Sequence, residues 1–263
     1  MPKNSGKHSH LWIPEGEIQN ISHKPDGRTK PVSREFSKHG TELILGFEEV
    51  QDFHRENTSS LGDDTVVFKV KLHQTQGYNN KARQEFLERN KIKINTLKDN
   101  QTAVVSTNIS EISKFKTKLE KYKQDSTNKT ELQFIDGIKP LDLIDKQSND
   151  IKELLNTPNL LDKEVDIQLM LLPGSIESQY KSAIDNIKSK IKSLEGDFLR
   201  EPYYLADGTP VIRVKLNASK INIISLDEAI IRIEQTKQYY FEPSKVDLAD
   251  LTDVSIDESV NIA

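Results

Sequence analysis

The stretch TVVFKVKL, residues 65 to 72, places an apolar side chain at every even-numbered position from 66 to 72. Because successive side chains of a β-strand point to opposite faces of the sheet, this spacing predicts a strand with one buried face. Lys69 and Lys71 fall on the opposite face, where water can reach them. The stretch therefore predicts an antiparallel sheet that is covered on one side.

The segments around this strand predict what covers the sheet. Before it, residues 33 to 56 carry apolar side chains mainly at spacings of three, four and seven, which predicts a helix. After it come a short helix over KARQEFLER, two alternating runs KIKINTL and TAVVST, and a helix that Asn108 or Ser110 could cap. The segment LQFIDGIKPL can supply a last strand. Residues 65 to 140 thus predict the order strand, helix, strand, strand, helix, strand.

The second half of the chain repeats this order. VDIQLMLL predicts a strand, and apolar residues every three or four positions from Ile176 to Leu194 predict a helix that Gly196 ends. A hairpin turns at Asp207 and Gly208, since glycine tolerates the positive φ of a tight turn. A short helix beginning near Ser225 and a strand over 230–235 complete the repeat.

These elements predict an α+β fold with two ferredoxin-like, propeptide-like plaits of βαββαβ order, after a disordered N-terminal tail and a helix. The predicted domains are a disordered basic tail over 1–32, a helix over 33–56, a first plait over 65–140, a linker over 141–162 that includes a short helix at DIKELLN, a second plait over 165–242, and an acidic linker from 243 to 263.

Composition excludes several classes of function. The chain has 263 residues and no cysteine, which excludes a disulfide scaffold and a cysteine nucleophile. The formal charge of -4 argues against a nucleic-acid-binding domain, which is usually basic. We find no apolar run long enough to cross a membrane and no secretory signal, so we expect a cytoplasmic protein without a membrane partner.

The metal, nucleophile and nucleotide candidates have simpler interpretations. His8 and His10 could share a metal, but no acidic cluster completes the shell, and we expect a polar tail. The other histidines, among them His39, are expected at the surface or on helix flanks. Ser175 precedes a helix and is expected to cap it. Because the chain has no phosphate-binding glycine loop, we predict no nucleotide cofactor. We also predict no metal, because no ligand cluster completes a coordination shell.

Four carboxylates could in principle perform acid and base chemistry. Asp207 is better explained as a turn residue, and Asp227 and Glu228 as acids in the first turn of a helix. Glu201 has no such explanation. An independent enzyme that uses Glu201 and Asp207 is therefore the weakest hypothesis.

Several motifs, in their order, resemble the N-terminal, non-catalytic region of bacterial subtilisin-like serine proteases, of the type encoded beside an AAA-type ATPase. They are the opening HLWIP at 10–14, the helix from Ser33, VVFKVKL, FIDGIKPL and the ending IDESVNIA. The ending is similar to the strand that precedes the catalytic Asp-x-Gly of these enzymes. The resemblance implies that 243–263 leads into the start of a missing catalytic domain and that no residue here belongs to a catalytic triad.

The resemblance also implies how such a chain would act. Propeptides of subtilisin-like enzymes are small plaits that pack on the protease and place a C-terminal tail in its active cleft. Here that tail would be Tyr239, Tyr240, Phe241 and Glu242, and the partner would be the chain's own catalytic domain. An AAA-type ATPase is a second possible partner. The alternative hypothesis is a stand-alone adaptor whose two plaits bind another protein.

Overall fold

The computed structural model describes residues 32, 34–57, 59–74, 77–78, 80–173 and 177–236, without the side chains of 177–180. The described part is an α+β chain of helices and antiparallel sheets, which confirms the predicted class at this level. The chain divides into two compact units. Unit 1 comprises Met1–Glu56 and Asp64–Pro140, and unit 2 comprises Asn57–Asp63 and Leu141–Ala263.

The described elements of unit 1 follow the order predicted from the sequence, with one short additional helix. They are α1 (Phe36–Glu56), β1 (Thr65–Leu72), α2 (Lys81–Arg89), β2 (Lys93–Leu97), β3 (Thr102–Asn108), α3 (Ile109–Asp125), α4 (Lys129–Leu132) and β4 (Ile135–Pro140). Asn108 caps α3, because its side chain accepts a hydrogen bond from the Ser110 amide at 2.9 Å.

The sheet of unit 1 has the strand order β2-β3-β1-β4, and every neighbouring pair is antiparallel. β1 is therefore central, as its apolar face requires. Val66, Phe68 and Val70 lie in the core with side chains from α1, α2 and α3. The predicted face of β1 is thus the buried face.

Helix α1 packs into the core of unit 1 and is not a separate element before the sheet. Leu43, Phe47 and Val50 are almost fully buried and line one side of the helix. The helix approaches β4 closely at Gly46, where an added Cβ would lie 2.3 Å from the carbonyl oxygen of Ile138. Only a residue without a Cβ fits between the two backbones.

We expect Gly46→Ala to destabilise unit 1. Alanine is favoured over glycine in a helix by about 1 kcal/mol. The steric conflict with the Ile138 carbonyl should cost more, on the order of 2–3 kcal/mol, because β4 would have to shift. Urea unfolding followed by circular dichroism measures the net effect. Gly137→Ala is the matched control, since nothing lies within 4 Å of an added Cβ there; equal stabilities of the two variants would contradict the close packing.

The described elements of unit 2 begin before the predicted plait. They are α5 (Leu143–Lys146), α6 (Asn149–Leu155), β5 (Glu164–Leu171), α7 (Glu177–Ser193), β6 (Asp197–Phe198), β7 (Tyr203–Tyr204), β8 (Pro210–Asn217), α8 (Ile221–Ser225) and β9 (Ile230–Gln235). The strand order is β6-β8-β5-β9, with β7 also pairing with β8, and all these pairs are antiparallel.

Two segments of unit 2 differ from the sequence-based expectation. The segment 141–162, expected to be a linker, places Ile151 and Leu154 of α6 in the core of unit 2. The short helix expected to begin near Ser225 in fact ends there, because α8 covers Ile221–Ser225. The apolar residues Ile221 and Ile224, one turn apart, place this helix on the core.

The turn predicted at Asp207 and Gly208 is present. Gly208 has φ +81°, and the Asp207 carboxylate accepts a hydrogen bond from the Thr209 amide at 2.9 Å. These contacts hold the pKa of Asp207 below its usual value. Among the described helices, none is long and apolar enough to cross a membrane.

Candidate functional site

The predicted cleft-binding tail, Tyr239, Tyr240, Phe241 and Glu242, lies outside the described residues, as do 1–31 and 243–263. The structure describes the element that leads to the tail. Strand β9 pairs with β5 on one side and is the last strand in the sheet order, so it is an edge strand. It ends at Gln235, four positions before Tyr239.

Among the described residues, the segment before α6 covers part of the other edge of β9. Gln147 forms an isolated parallel bridge with Ile233, and the Ser148 amide donates a hydrogen bond to the Ile233 carbonyl at 3.0 Å. This contact joins the segment before α6 to the edge strand. An edge blunted in this way is protected from uncontrolled pairing at that position.

A buried carboxylate lies just before β9. The side chain of Asp227 is 1% exposed and accepts hydrogen bonds from the Ser60 amide at 3.0 Å, the Ser60 hydroxyl at 2.6 Å and the Ala229 amide at 2.9 Å. Lys190 of α7 forms an ion pair with the same carboxylate. A single side chain thus ties the segment 57–63 and α7 to the start of β9.

A buried lysine occupies the adjacent position. Lys146 of α5 is 1% exposed, and its ammonium donates hydrogen bonds to the carbonyls of Ser225 and Asp227, each at 2.8 Å. Burial lowers the pKa of Lys146 to about 8, although the nearby carboxylates of Asp227 and Glu228 act in the opposite direction. Because Ser225 is the last residue of α8 and Asp227 follows that helix closely, Lys146 acts as a cationic C-terminal cap of α8.

These contacts define a structural network and not a nucleophilic site. The Ser225 hydroxyl donates to the carbonyl of Ile221 at 2.7 Å, which is not a base. The Ser60 hydroxyl donates to the Asp227 carboxylate, but both residues are buried, so no substrate reaches this pair. Lys146 is buried away from any substrate. Asp227 and Glu228, which we expected in the first turn of a helix, follow α8 and are both buried, so that expectation is wrong.

The remaining carboxylate candidates are not brought together. Glu201 has a side chain that is 93% exposed and lies 3.9 Å from Lys188. Glu201 lines a cavity beside β6, and Asp207, which is engaged in its own turn, is not part of that lining. Ser175 lies outside the described residues, and no group of three or more metal-binding side chains forms within the described ranges.

We expect Asp227→Asn to destabilise unit 2 by on the order of 3 kcal/mol, because the substitution removes the buried negative charge that pairs with Lys190 and replaces an acceptor oxygen that faces the donors of Ser60 and Ala229. Urea unfolding at pH 7 measures the difference from the parent chain. Glu201→Gln is the matched control: its ion pair is exposed and should contribute less than about 1 kcal/mol. Similar losses in the two variants would show that the Asp227 contacts do not hold the unit together.

Unit 1 contains a second buried polar group, His39 of α1. Its Nε2–H donates to the carbonyl of Ile135 at 2.7 Å, and the Tyr122 hydroxyl donates to Nδ1 at 2.9 Å. Burial lowers the pKa of His39. The expected surface position of this histidine is therefore wrong; it is a hydrogen-bonded core residue that links α1 to α3 and β4.

The low pKa of His39 predicts a pH-dependent stability of unit 1. The ordinary pKa of a histidine is 6.5, so well above this pH His39 is neutral in both the folded and the unfolded state. As the pH falls below 6.5, the unfolded state binds a proton that the folded state does not, and stability falls by up to about 1.4 kcal/mol per pH unit. Urea unfolding at pH 7.0, 6.5, 6.0 and 5.5 measures this slope. His39→Gln should flatten it and His73→Gln should not; a parent chain whose stability is constant over this range would contradict the assignment.

A cavity of about 480 Å³ in unit 1 is polar and largely satisfied by its own residues. Its lining includes Arg34, Lys71, His73, Gln101 and Asp136. The Arg34 guanidinium donates to the carbonyl of Gln133 at 2.8 Å and pairs with Asp136. The charges of Arg34 and Asp136 in this cavity therefore compensate each other.

The comparisons with known proteins support a module that corresponds to unit 1. A model of the family described as the Y4kK N-terminal domain matches residues 37–145. The match begins in α1, includes β4 and ends within α5, so the chain is similar to this family over about two fifths of its length. No curated protein and no solved structure matches the chain.

Proposed function

We propose that this chain is the non-catalytic, propeptide-like regulatory region of a subtilisin-like serine endopeptidase. It would assist the folding of the catalytic domain and restrain its activity. The chain itself would not hydrolyse peptides. Its direct partner would be its own catalytic domain, and the segment 243–263 would lead into that domain.

The proposal assigns each unit to the ferredoxin-like plaits. Support comes from the strand orders β2-β3-β1-β4 and β6-β8-β5-β9, which are the same arrangement in two units with all neighbours antiparallel. In each unit, the first strand of the repeat is central and the last strand lies at an edge. This is the arrangement expected when a split strand-helix-strand unit receives a hairpin strand between its two parallel strands.

The observation that carries the proposal is the position of β9. It is an edge strand among the described strands, begins beside the buried Asp227 and ends at Gln235, four positions before the predicted tail. A tail that leaves an edge strand can continue in an extended conformation and add to a strand of a partner. Tyr239, Tyr240 and Phe241 would then supply the side chains that fill pockets of the cleft.

The buried network holds the start of β9, the strand whose other end leads to this tail. Asp227 and Lys146 fix the chain at the start of β9 through side-chain and backbone hydrogen bonds. A segment that is held in its bound orientation loses less conformational entropy on binding. The network therefore orders the strand that precedes the tail.

Inhibition of the separately produced catalytic domain tests the proposal. The full chain should slow hydrolysis of a chromogenic peptide by that domain, and the Tyr239→Ser/Tyr240→Ser/Phe241→Ser variant should raise the inhibition constant on the order of 100-fold, since one buried aromatic anchor contributes about 2 kcal/mol or more. Tyr204→Ser is the matched control, because Tyr204 is an exposed tyrosine of unit 2 outside the tail.

The control variant should inhibit as well as the parent chain, and mass spectrometry should show that the parent chain stays intact during the assay. A full chain that neither binds the catalytic domain nor changes its rate would overturn the proposal. A triple variant that inhibits like the parent would remove the tail from it.

An adaptor that binds another protein remains the second candidate, favoured by unit 1. A propeptide needs one plait, and the Y4kK N-terminal domain model matches the additional one. Unit 1 would then recruit a partner, for which the resemblance implies an AAA-type ATPase. The DNA after codon 263 separates the candidates: a continuing frame with Asp-x-Gly favours the protease region, and a stop codon favours the adaptor. The cytoplasmic location and the absence of a nucleic-acid partner stay predictions in both cases.

A further inference from the structure

Unit 2 has a groove beside its other edge strand, β6. We name it the β6 groove, and its volume is about 360 Å³. It is lined by residues 196 to 201 and by Lys188 and Lys192. One wall is the C-terminal part of α7, and the other is β6 with the residues that follow it. β6 is the last strand of the sheet order on this side, so its outer edge can accept a further strand.

The groove is lined by three basic residues and two acidic residues, Asp197 and Glu201, next to exposed apolar surface. Lys188 lies over the ring of Phe198 at 5.6 Å and near Glu201. Among the described residues, neither Lys192 nor Arg200 forms an ion pair, and both are exposed. Leu199 is 40% exposed although it is a large apolar residue. A ligand that fits must carry carboxylates next to apolar side chains.

The chain itself contains a segment with this chemistry. Residues 247 to 258, DLADLTDVSIDE, carry five acidic residues and no basic residue. Within it Val254 and Ile256 alternate with Asp253 and Asp257, which is the pattern of an extended strand with one apolar face.

The register of the sheet shows that this segment can reach the groove. Gln235 at the end of β9 pairs with Ile167, Ile167 pairs with Val214, and Val214 pairs with Phe198. The end of β9 and the groove therefore lie on one row across the sheet, three strand spacings or about 15 Å apart. The ten residues from 237 to 246 can span up to about 35 Å when extended.

We propose that the acidic segment 247–258 binds in the β6 groove of the same chain. Asp253 and Asp257 would pair with Lys192 and Arg200, and Val254 and Ile256 would cover Phe198 and Leu199. The interaction is intramolecular, so a weak contact suffices at the high effective concentration of a short linker. This inference goes beyond the proposed function and does not depend on a protease.

Paramagnetic relaxation in the full chain tests this docking. Because the chain has no cysteine, Ser255→Cys provides the single thiol for a nitroxide label. The amide signals of residues 196 to 201 should lose intensity relative to the reduced label. The loss should weaken in 1 M salt, where charges are screened beyond about 3 Å.

Charge reversal distinguishes the groove from a nonspecific contact. Lys192→Glu/Arg200→Glu should restore the signals of residues 196 to 201, whereas Lys181→Glu, an exposed lysine of the same helix that does not line the groove, should leave them attenuated. Unchanged spectra of the other core residues verify that each variant is folded. Signals that stay at full intensity in the labelled parent, or attenuation that the double variant retains, would overturn the proposal.

A mixed sample identifies the source of the segment. Isotope-labelled chain without the nitroxide is combined with unlabelled chain that carries it. Full signal intensity in this sample supports docking within one chain. Attenuation that occurs in the mixture as strongly as in the single labelled chain assigns the groove to a second copy and overturns the intramolecular proposal.

Discussion

A carboxylate that is buried in a protein interior needs hydrogen-bond donors or a counter-ion. The Asp227 carboxylate of unit 2 has four such partners. Ser60 supplies an amide and a hydroxyl, Ala229 supplies an amide, and Lys190 supplies the positive charge. These donors come from segments that are far apart in the sequence. The requirement to satisfy one charge therefore fixes where the segment 57–63, α7 and the start of β9 meet.

Lys146 extends this constraint to α5. Its two carbonyl partners belong to Ser225, the last residue of α8, and to Asp227, which follows the helix. Neither carbonyl has a partner within α8, and a cation at the C-terminal end of a helix interacts favourably with the helix dipole. The buried charge requires compensation, and Asp227 and Glu228 provide a negative environment for it. A lysine and two acids thus stabilise one another where none could be buried alone.

The sequence predicted the strands better than the buried polar groups. β1 and β9 have the predicted bounds, because alternation with period two is a local signal that core packing reinforces. The sequence predicts the start of α8 at the wrong position, because Lys220 at its N-cap forms no side-chain hydrogen bond and no capping residue marks the start. The sequence predicts Asp227 in the first turn of a helix, because it follows Ser225 closely. Its actual hydrogen-bond donor is Ser60, 167 positions away in the sequence, and such a distant contact leaves no local pattern. The burial of α6 is easier to predict from the sequence, because the apolar residues Ile151 and Leu154 have helical spacing.

The lysines of helix α7 fall into two groups: one forms a buried ion pair, and the others line the β6 groove. Lys188 and Lys192 are four residues apart and share the face that lines the β6 groove, whereas Lys190 is offset by two residues and so points about 200° away. Lys190 meets the buried Asp227 and contributes to folding. Lys192 remains exposed and contributes little to folding, which leaves it available for a ligand. Three lysines of equal chemistry thus differ in role because of their angular position on one helix.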